Sequence, residues 1–558
     1  MTKNTPARVG YLSLTLHAHL PFVLHHGTWP HGLEWLLEAA TETYLPLLRT
    51  LARLNADKVP FCLNISLSPV LLDQLAHPDF KAELPQYLQR KIVSSREDAA
   101  FFEQAGERHL LSVARHWENV FTETLRYLET LNGDLVAGFR HAEANNCIQI
   151  ITSAATHGYV PLLGTDESIR AQFLTAVQVH QHHFGKPPAG AWLPECGYRP
   201  AGPWRFPVPF EGSDDETAVE RIGTETALSD AGLRFTFVDT HLVQDAEATA
   251  QTIRPEGIHS FYRPYLVSGS DVAIFARDPR TAVQVWSAQF GYPGDFDYLD
   301  FHKKRWPGGH RYWRVTGAGL GMTEKQVYYP ESAVKRTRAH AEHFVQLVAD
   351  TLATQPAVDG HPPVLSAPFD LELFGHWWHE GLQFLEAIAR VLATGTHGVQ
   401  AITASNYLAR FGTAGSIHMS EGSWGAGGDN SVWLNSETTS AYSRIYSAEL
   451  AVRSAARNPA WTDGATGERI ARQMCRELML LESSDWPTLI TTGAARDYAE
   501  HRIKEHTAGF ESMQKCWQAF LETGTLNESC EKALTALEQR DSLFHDLDPA
   551  AWITSSKS

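Results

Sequence analysis

Short β-type runs that each stop at a polar turn recur through roughly the first 400 residues, with helical stretches between them. Residues 11–16 (YLSLTL) alternate as a strand does and end at His17-Ala-His-Leu-Pro, where Pro21 cannot donate to a ladder. Residues 60–66, 148–153, 190–193 and 234–238 read as further strands. The runs after Ser153, Leu193 and Val238 lead into His157, Glu195 and Asp239. Residues 271–276 and 283–286 are shorter candidates, the second preceding Gly291-Tyr-Pro-Gly294, and 399–402 suggests one more edge. An apolar run at 363–367 ends in Asp370 and Glu372, then in His376, Trp377, Trp378, His379 and Glu380. Alternating strands and helices of this kind predict an α/β barrel whose chemistry sits at the C-terminal ends of the strands.

Helical spacing fills the intervals. Leu33, Leu36, Leu37, Ala40 and Tyr44 fall on one face of a helix over 29–49, and another helix is expected at 333–353. Residues 70–131 are helical and charged, too long for one crossover, and predict a helical insertion mounted on the barrel. Beyond residue 405 the texture changes to a glycine-rich loop at 423–430 and then to almost unbroken helix. The expected division is a barrel over 1–404 and a C-terminal helical domain over 405–558.

A net charge of −17 argues against nucleic acid and anionic membranes as partners. Six cysteines without a CxxC pair suit reduced thiols rather than a disulfide or zinc framework. No apolar run is long enough to span a bilayer and no signal-peptide pattern opens the chain, so a cytoplasmic monomer is expected.

His17 and His19, two apart at a strand end, point the same way. Such a pair can chelate a metal, bond sugar hydroxyls or orient a carboxylate, but no further ligands follow at zinc spacing. Glu195 and Asp370 both end strands beside aromatics, and two carboxyl groups across a sugar ring are the minimum equipment for glycosidic cleavage. The loop around Gly425, Gly427 and Gly428 lacks a following Lys-Ser/Thr and fails the nucleotide fingerprints. A loop presenting Trp424 and Trp433 to a ligand fits it better.

Five stretches together carry a resemblance: HAHLP (17–21), TSAATHGY (152–159), WLPECGY (192–198), APFDLELFGHWWHEG (367–381) and EGSWGAGGDNSVWLN (421–435). They resemble the signature regions of glycoside hydrolase family 57, in the order and spacing of its 1,4-α-glucan branching members. The resemblance implies an incomplete (β/α)7 TIM-like barrel, a helical insertion and a C-terminal α-helical domain completing the cleft. It implies retaining chemistry on α-1,4-glucan without metal or organic cofactor, Glu195 being the nucleophile and Asp370 the general acid/base. His17, His19, His157, Arg277, Trp286, Gly294, Trp377, Trp424, Trp433 and Asp485 fall where glucan-contacting residues lie. One departure stands out. Branching members commonly carry a tyrosine at the tip of the loop after the fifth strand, and residues 243–260 contain none. A shorter, wetter lid would favour hydrolysis, so an α-amylase-type hydrolase or a 4-α-glucanotransferase is the alternative, and a non-catalytic glucan-binding protein a further one. Cys196, which stands where other residue types are common, is expected to be a packing thiol.

Overall fold

The computed structural model describes residues 9–210, 217–249, 260–287, 290–355, 358, 360–462 and 464–553. Seven parallel strands build the barrel: β1 (Gly10–Ala18), β2 (Leu63–Leu67), β3 (Ile148–Ser153), β4 (Ala191–Trp192), β5 (Phe235–Val238), β6 (Ala273–Ala276) and β7 (Val364–Asp370). All nine residues of β1 are buried, as expected of a parallel strand covered on both faces. β1 pairs with β2 on one side and β7 on the other, in a register that sets His17 between Ser66 and Asp370. β6 reaches β7 through a single bridge, Arg277 to Ser366.

The ring is not fully laddered. Between β4 and β5 the described residues keep only the hydrogen bond from Arg234 N to the Ala189 oxygen, 2.9 Å. Here the Phe235 ring lies against Gly190, in space that any side chain at 190 would need.

The insertion is Pro69–Ala76, Pro78–Gln104 and Arg108–Thr130, the last burying Val113, Ala114, Trp117, Phe121, Thr124 and Leu128 along one stripe. Five long helices follow the glycine loop: Thr439–Ala456, Ala465–Leu481, Asp485–Thr492, Arg496–Thr523 and Glu528–Arg540. Four of them join the barrel core, one apolar cluster running from Leu12 through Phe369 to Met474 and Trp552, while Trp486 and Ile490 of Asp485–Thr492 pack in a separate cluster with Tyr159 and Trp433.

Two expectations need correction. Residues 283–286 are not a strand but the end of the helix Pro279–Trp286, capped by the Asp278 carboxylate, which accepts the Thr281 N–H at 2.6 Å. The helix expected over 29–49 begins only at Leu33 and changes hydrogen-bond pattern through a π-turn at Ala40–Tyr44 before continuing as Leu45–Ala56. Most of the lid segment, 250–259, lies outside the described residues. The part before it forms a short helix, Thr240–Gln244, and a two-residue strand, Glu247–Ala248.

Candidate active site

Each barrel strand delivers a polar side chain to the same end. His17 and His19 come from β1, Ser66 and Ser68 from β2, His157 from the turn after β3, and Glu195 from the turn after β4. Asp239 follows β5, Arg277 follows β6, and Asp370 closes β7. Three of the residues delivered to this end, His157 (φ 58°), Glu195 (φ 58°) and Cys196 (φ 50°), hold left-handed backbone conformations that cost a non-glycine residue about 1–3 kcal/mol. Strain of that size persists where surrounding contacts fix the side chain, and the contacts here are dense.

The imidazoles form a relay. His17 Nδ1 lies 3.0 Å from Ser66 Oγ and its Nε2 3.0 Å from His157 Nε2, while His157 Nδ1 lies 2.8 Å from Ser484 Oγ. Burial, and the neighbouring imidazoles, hold both His17 and His157 well below the usual histidine range, so both are neutral at neutral pH. Neutral rings assign the protons. Ser66 donates to the Thr152 carbonyl, so His17 donates from Nδ1 and accepts at Nε2 from His157. His157 Nδ1 then accepts from Ser484. The Ser484 hydrogen is thus shared between His157 and Glu195, whose Oε1 is 3.4 Å away.

The two carboxyl groups sit in different surroundings. Glu195 Oε2 accepts the Trp424 indole N–H at 2.7 Å, and the Glu195 carbonyl accepts the Trp424 backbone N–H at 3.1 Å. Burial raises the Glu195 pKa, and the Trp424 and Ser484 donors pull it back. Asp370 receives no side-chain hydrogen bond among the described residues. Burial, Glu372 and Glu195 push it well above the usual carboxylate range, with only Arg277 opposing. Glu195 stays raised on balance but has protein donors that favour its anion, whereas Asp370 has none among the described residues and favours its proton more strongly.

The C-terminal helices complete the site. His19 Nε2 lies 2.8 Å from Asp485 Oδ2, and its Nδ1 2.9 Å from Ser68 Oγ. Burial alone would raise Asp485, but His19 outweighs it and brings the carboxyl down to about 2. Arg277 grips Asp239 through two bonds of 3.1 and 2.8 Å and stacks over Trp424 at 5.6 Å. Trp286 and Trp377, 36% and 43% exposed, stand 6.2 Å apart at the rim. Trp377 also lines a cleft of about 630 Å³ with Trp29, Trp35 and Trp306. A larger cavity of about 820 Å³, lined by Cys62, Cys147 and Val399, sits at the opposite end of the strands and holds no paired carboxylates. Gly294 ends the turn Tyr292–Gly294 shortly after Trp286.

Trp433 does not match its expected exposure. It is 2% exposed, stacked on Tyr159 at 4.1 Å, with its indole N–H on Thr488 Oγ1 at 3.0 Å. It supports the loop that carries Trp424 rather than facing a ligand. Cys196 is buried and burial pushes its thiol far up, as a packing residue requires. Sequence reasoning named Glu372 beside Asp370 without giving it a role, and missed Ser66, Ser68, Tyr44 and Ser484. Of these only Ser484 had a signal, its place beside Asp485 in SSDWP. Tyr44 Oη donates to Glu372 at 2.5 Å, and burial lifts that carboxyl to about 7.

Comparison with known proteins covers both halves of the molecule. The profile described as "Glycosyl hydrolase family 57" matches residues 13–420, and that described as "1,4-alpha-glucan branching enzyme, C-terminal" matches 444–552. A 1,4-alpha-glucan branching enzyme of Thermococcus kodakarensis is 38% identical over 553 residues, 98% of this chain and 79% of that protein. The crystal structure of a branching enzyme from Pyrococcus horikoshii superposes with a TM-score of 0.90 at 38% identity, covering 99% of this chain and 98% of that one. The alpha-amylase AmyC of Thermotoga maritima follows at 0.81 and 27%, covering 98% and 99%. With barrel and helical unit both matched, the chain belongs to glycosyl hydrolase family 57.

Proposed function

We propose that the protein is a retaining α-glucan transglycosidase, a 1,4-α-glucan branching enzyme, with Glu195 as nucleophile and Asp370 as general acid/base. Glu195, ionised against Trp424, attacks the anomeric carbon of an α-1,4-glucan. Protonated Asp370 gives its proton to the departing glycosidic oxygen, leaving a glucosyl ester on Glu195. Asp370, now an anion, takes the proton of an incoming 6-hydroxyl, which opens the ester and forms an α-1,6 branch. His17, His19, His157, Arg277 and Asp485 line the sugar-binding end, Trp286, Trp377 and Trp424 offer ring faces to the chain, and Gly294 lies in the turn beneath them.

The observation that carries this reading is the unequal surroundings of the two carboxyl groups: side-chain donors on Glu195 and, among the described residues, none on Asp370. The choice of branching is supported by the C-terminal match and by the relatives named above. The site draws on a barrel over 1–404, with its insertion at 70–131, and on helices from 405 onward, all within one chain, which supports a monomer as the working unit. Six unpaired cysteines favour a reducing cytoplasm. No helix among the described residues is long and apolar enough to cross a membrane.

Hydrolysis is the second reading, favoured by the tyrosine-free segment 243–260 and by the likeness to AmyC. Incubation with amylose, following α-1,6 linkages by NMR alongside reducing ends, decides between them. New α-1,6 signal with few reducing ends supports branching; the reverse makes the protein an amylase. Loss of both in Glu195→Gln, with glucan binding retained, supports the nucleophile assignment.

A further inference from the structure

A second cluster of histidine and aspartate lies away from the catalytic carboxyl groups, where three parts of the chain meet. His25 comes from the turn after β1, His77 and Asp79 from the start of the helix Pro78–Gln104, and the turn at 540–542 from the C-terminal unit packs against them. The ligand atoms of His25, His77 and Asp79 all lie within 4.8 Å of one another. His25 Nε2 is 2.8 Å, and His77 Nδ1 3.8 Å, from the same oxygen, Asp79 Oδ2.

The far side of each ring is occupied. His25 Nδ1–H donates to the Arg540 carbonyl at 3.0 Å, and His77 Nε2 lies 3.1 Å from Ser542 Oγ. A carbonyl can only accept, so the neutral His25 ring carries its lone pair on Nε2, aimed at a carboxylate oxygen. Two lone pairs face each other at that distance only with a second proton, or a cation, between them. Outer contacts of this kind, one to a carbonyl and one to a hydroxyl, are what fix the ring orientation of metal-ligating histidines. His25 also holds φ 64°, a strained conformation that aims its ring at Asp79.

We propose that His25 Nε2, His77 Nδ1 and Asp79 Oδ2 form a binding site for a divalent transition-metal ion, Zn²⁺ by preference, that ties the barrel and its insertion to the C-terminal helical unit. Two imidazoles and one carboxylate suit Zn²⁺, with water in the fourth position. The ion takes the Nδ1 lone pair of His77 that otherwise accepts the Asp79 N–H. Asp79 and Asp541 both face His25 and draw a cation, while the Arg540 guanidinium is turned away to Asp541 at 2.7 Å. Because Ser484 and Asp485 reach the catalytic end from the helical unit, an ion here strengthens the docking on which the site depends.

The test uses the full chain, stripped with a chelator and titrated at pH 7.5 with Co²⁺ and then Zn²⁺. The expected result is one equivalent bound, visible bands of low-symmetry four-coordinate Co²⁺, displacement by Zn²⁺ and a rise in Tm of about 3 °C or more at saturating ion. His25→Ala and Asp79→Asn should each weaken Zn²⁺ binding about tenfold or more while leaving the circular dichroism unchanged. These two positions are chosen because His77 also caps a helix and its loss would confuse folding with binding. No saturable Co²⁺ signal overturns the proposal. So does undiminished binding in the His25→Ala/Asp79→Asn double variant, which would put the ion at another cluster, His19, His157 and Asp485 or His26, His506 and Asp541.

Discussion

Replacing Trp424 with phenylalanine removes one hydrogen bond and part of the ring face. The ring keeps its place over Arg277 and beside Trp192, at 5.6 and 5.2 Å, and the backbone bond to the Glu195 carbonyl survives. The lost bond is the indole N–H to Glu195 Oε2 at 2.7 Å, a donor to an ionised acceptor. Such bonds contribute about 1.5–3 kcal/mol. The donor favours the anion, so its loss raises the Glu195 pKa, by about 1–2 units at roughly 1.4 kcal/mol per unit. In the proposed mechanism Glu195 must be ionised to attack, and Asp370 must be protonated to donate. The acidic limb of kcat/KM against pH therefore reports Glu195 and the basic limb Asp370. In Trp424→Phe the acidic limb should move up by about 1–2 units while the basic limb stays, so that the profile narrows from one side. Below the limb, activity should fall about tenfold for each unit moved. An unmoved acidic limb, or two limbs that shift together, would refute the division of roles between the carboxyl groups.

Asp370→Asn should lower turnover on amylose about 10²–10⁴-fold, yet keep the first half-reaction on an α-glucosyl fluoride, whose leaving group needs no proton; equal losses on both substrates would count against the acid assignment. Asp485, held near 2 by His19, stabilises the fold above its unfolded pKa and loses that contribution as pH falls from about 4 to 2. Asp485→Asn should therefore cost about 2 kcal/mol at pH 6, measured by urea unfolding, and progressively less toward pH 2. Gly375 holds φ 114°, and a methyl group there runs into the Glu42 carbonyl; Gly375→Ala should lose about 3 kcal/mol of stability, and a change under 1 kcal/mol would show that the turn yields. Removing the exposed rim indoles Trp286 and Trp377 should raise KM for long glucans about tenfold with kcat nearly constant, a loss of uniform binding.

The strand ends were readable because a period-two apolar run that breaks at proline or a charged residue leaves few alternatives. His17, Glu195 and Asp370 could be placed that way, down to the shared end of the barrel. The VQVW segment at 283–286 fits a strand and a helix equally well. What decides it is the Asp278 cap with Pro279 behind it, a signal present in the sequence but outweighed by the alternation. Ser66, Ser68 and Ser484 could not be found that way, since a serine opposite a histidine leaves no local pattern and only register or docking brings them together. Trp433 shows the converse: an indole in a glycine-rich loop looks like a ligand platform until the fold lays Tyr159 on it.

Several contacts join the barrel's catalytic end to sequence that follows it, among them Trp424 on Glu195, Ser484 on His157 and on Glu195, and Asp485 on His19. A chain emerging from the ribosome therefore carries both proposed catalytic carboxyl groups before it carries the groups that contact them. Until Trp424 and the helix Asp485–Thr492 arrive, Glu195 lacks the Trp424 and Ser484 donors and His19 lacks the Asp485 carboxylate. In the proposed mechanism such incomplete chains would be inactive on α-glucan. A chain ended before Thr439 that still cleaves amylose would show that this late arming does not operate.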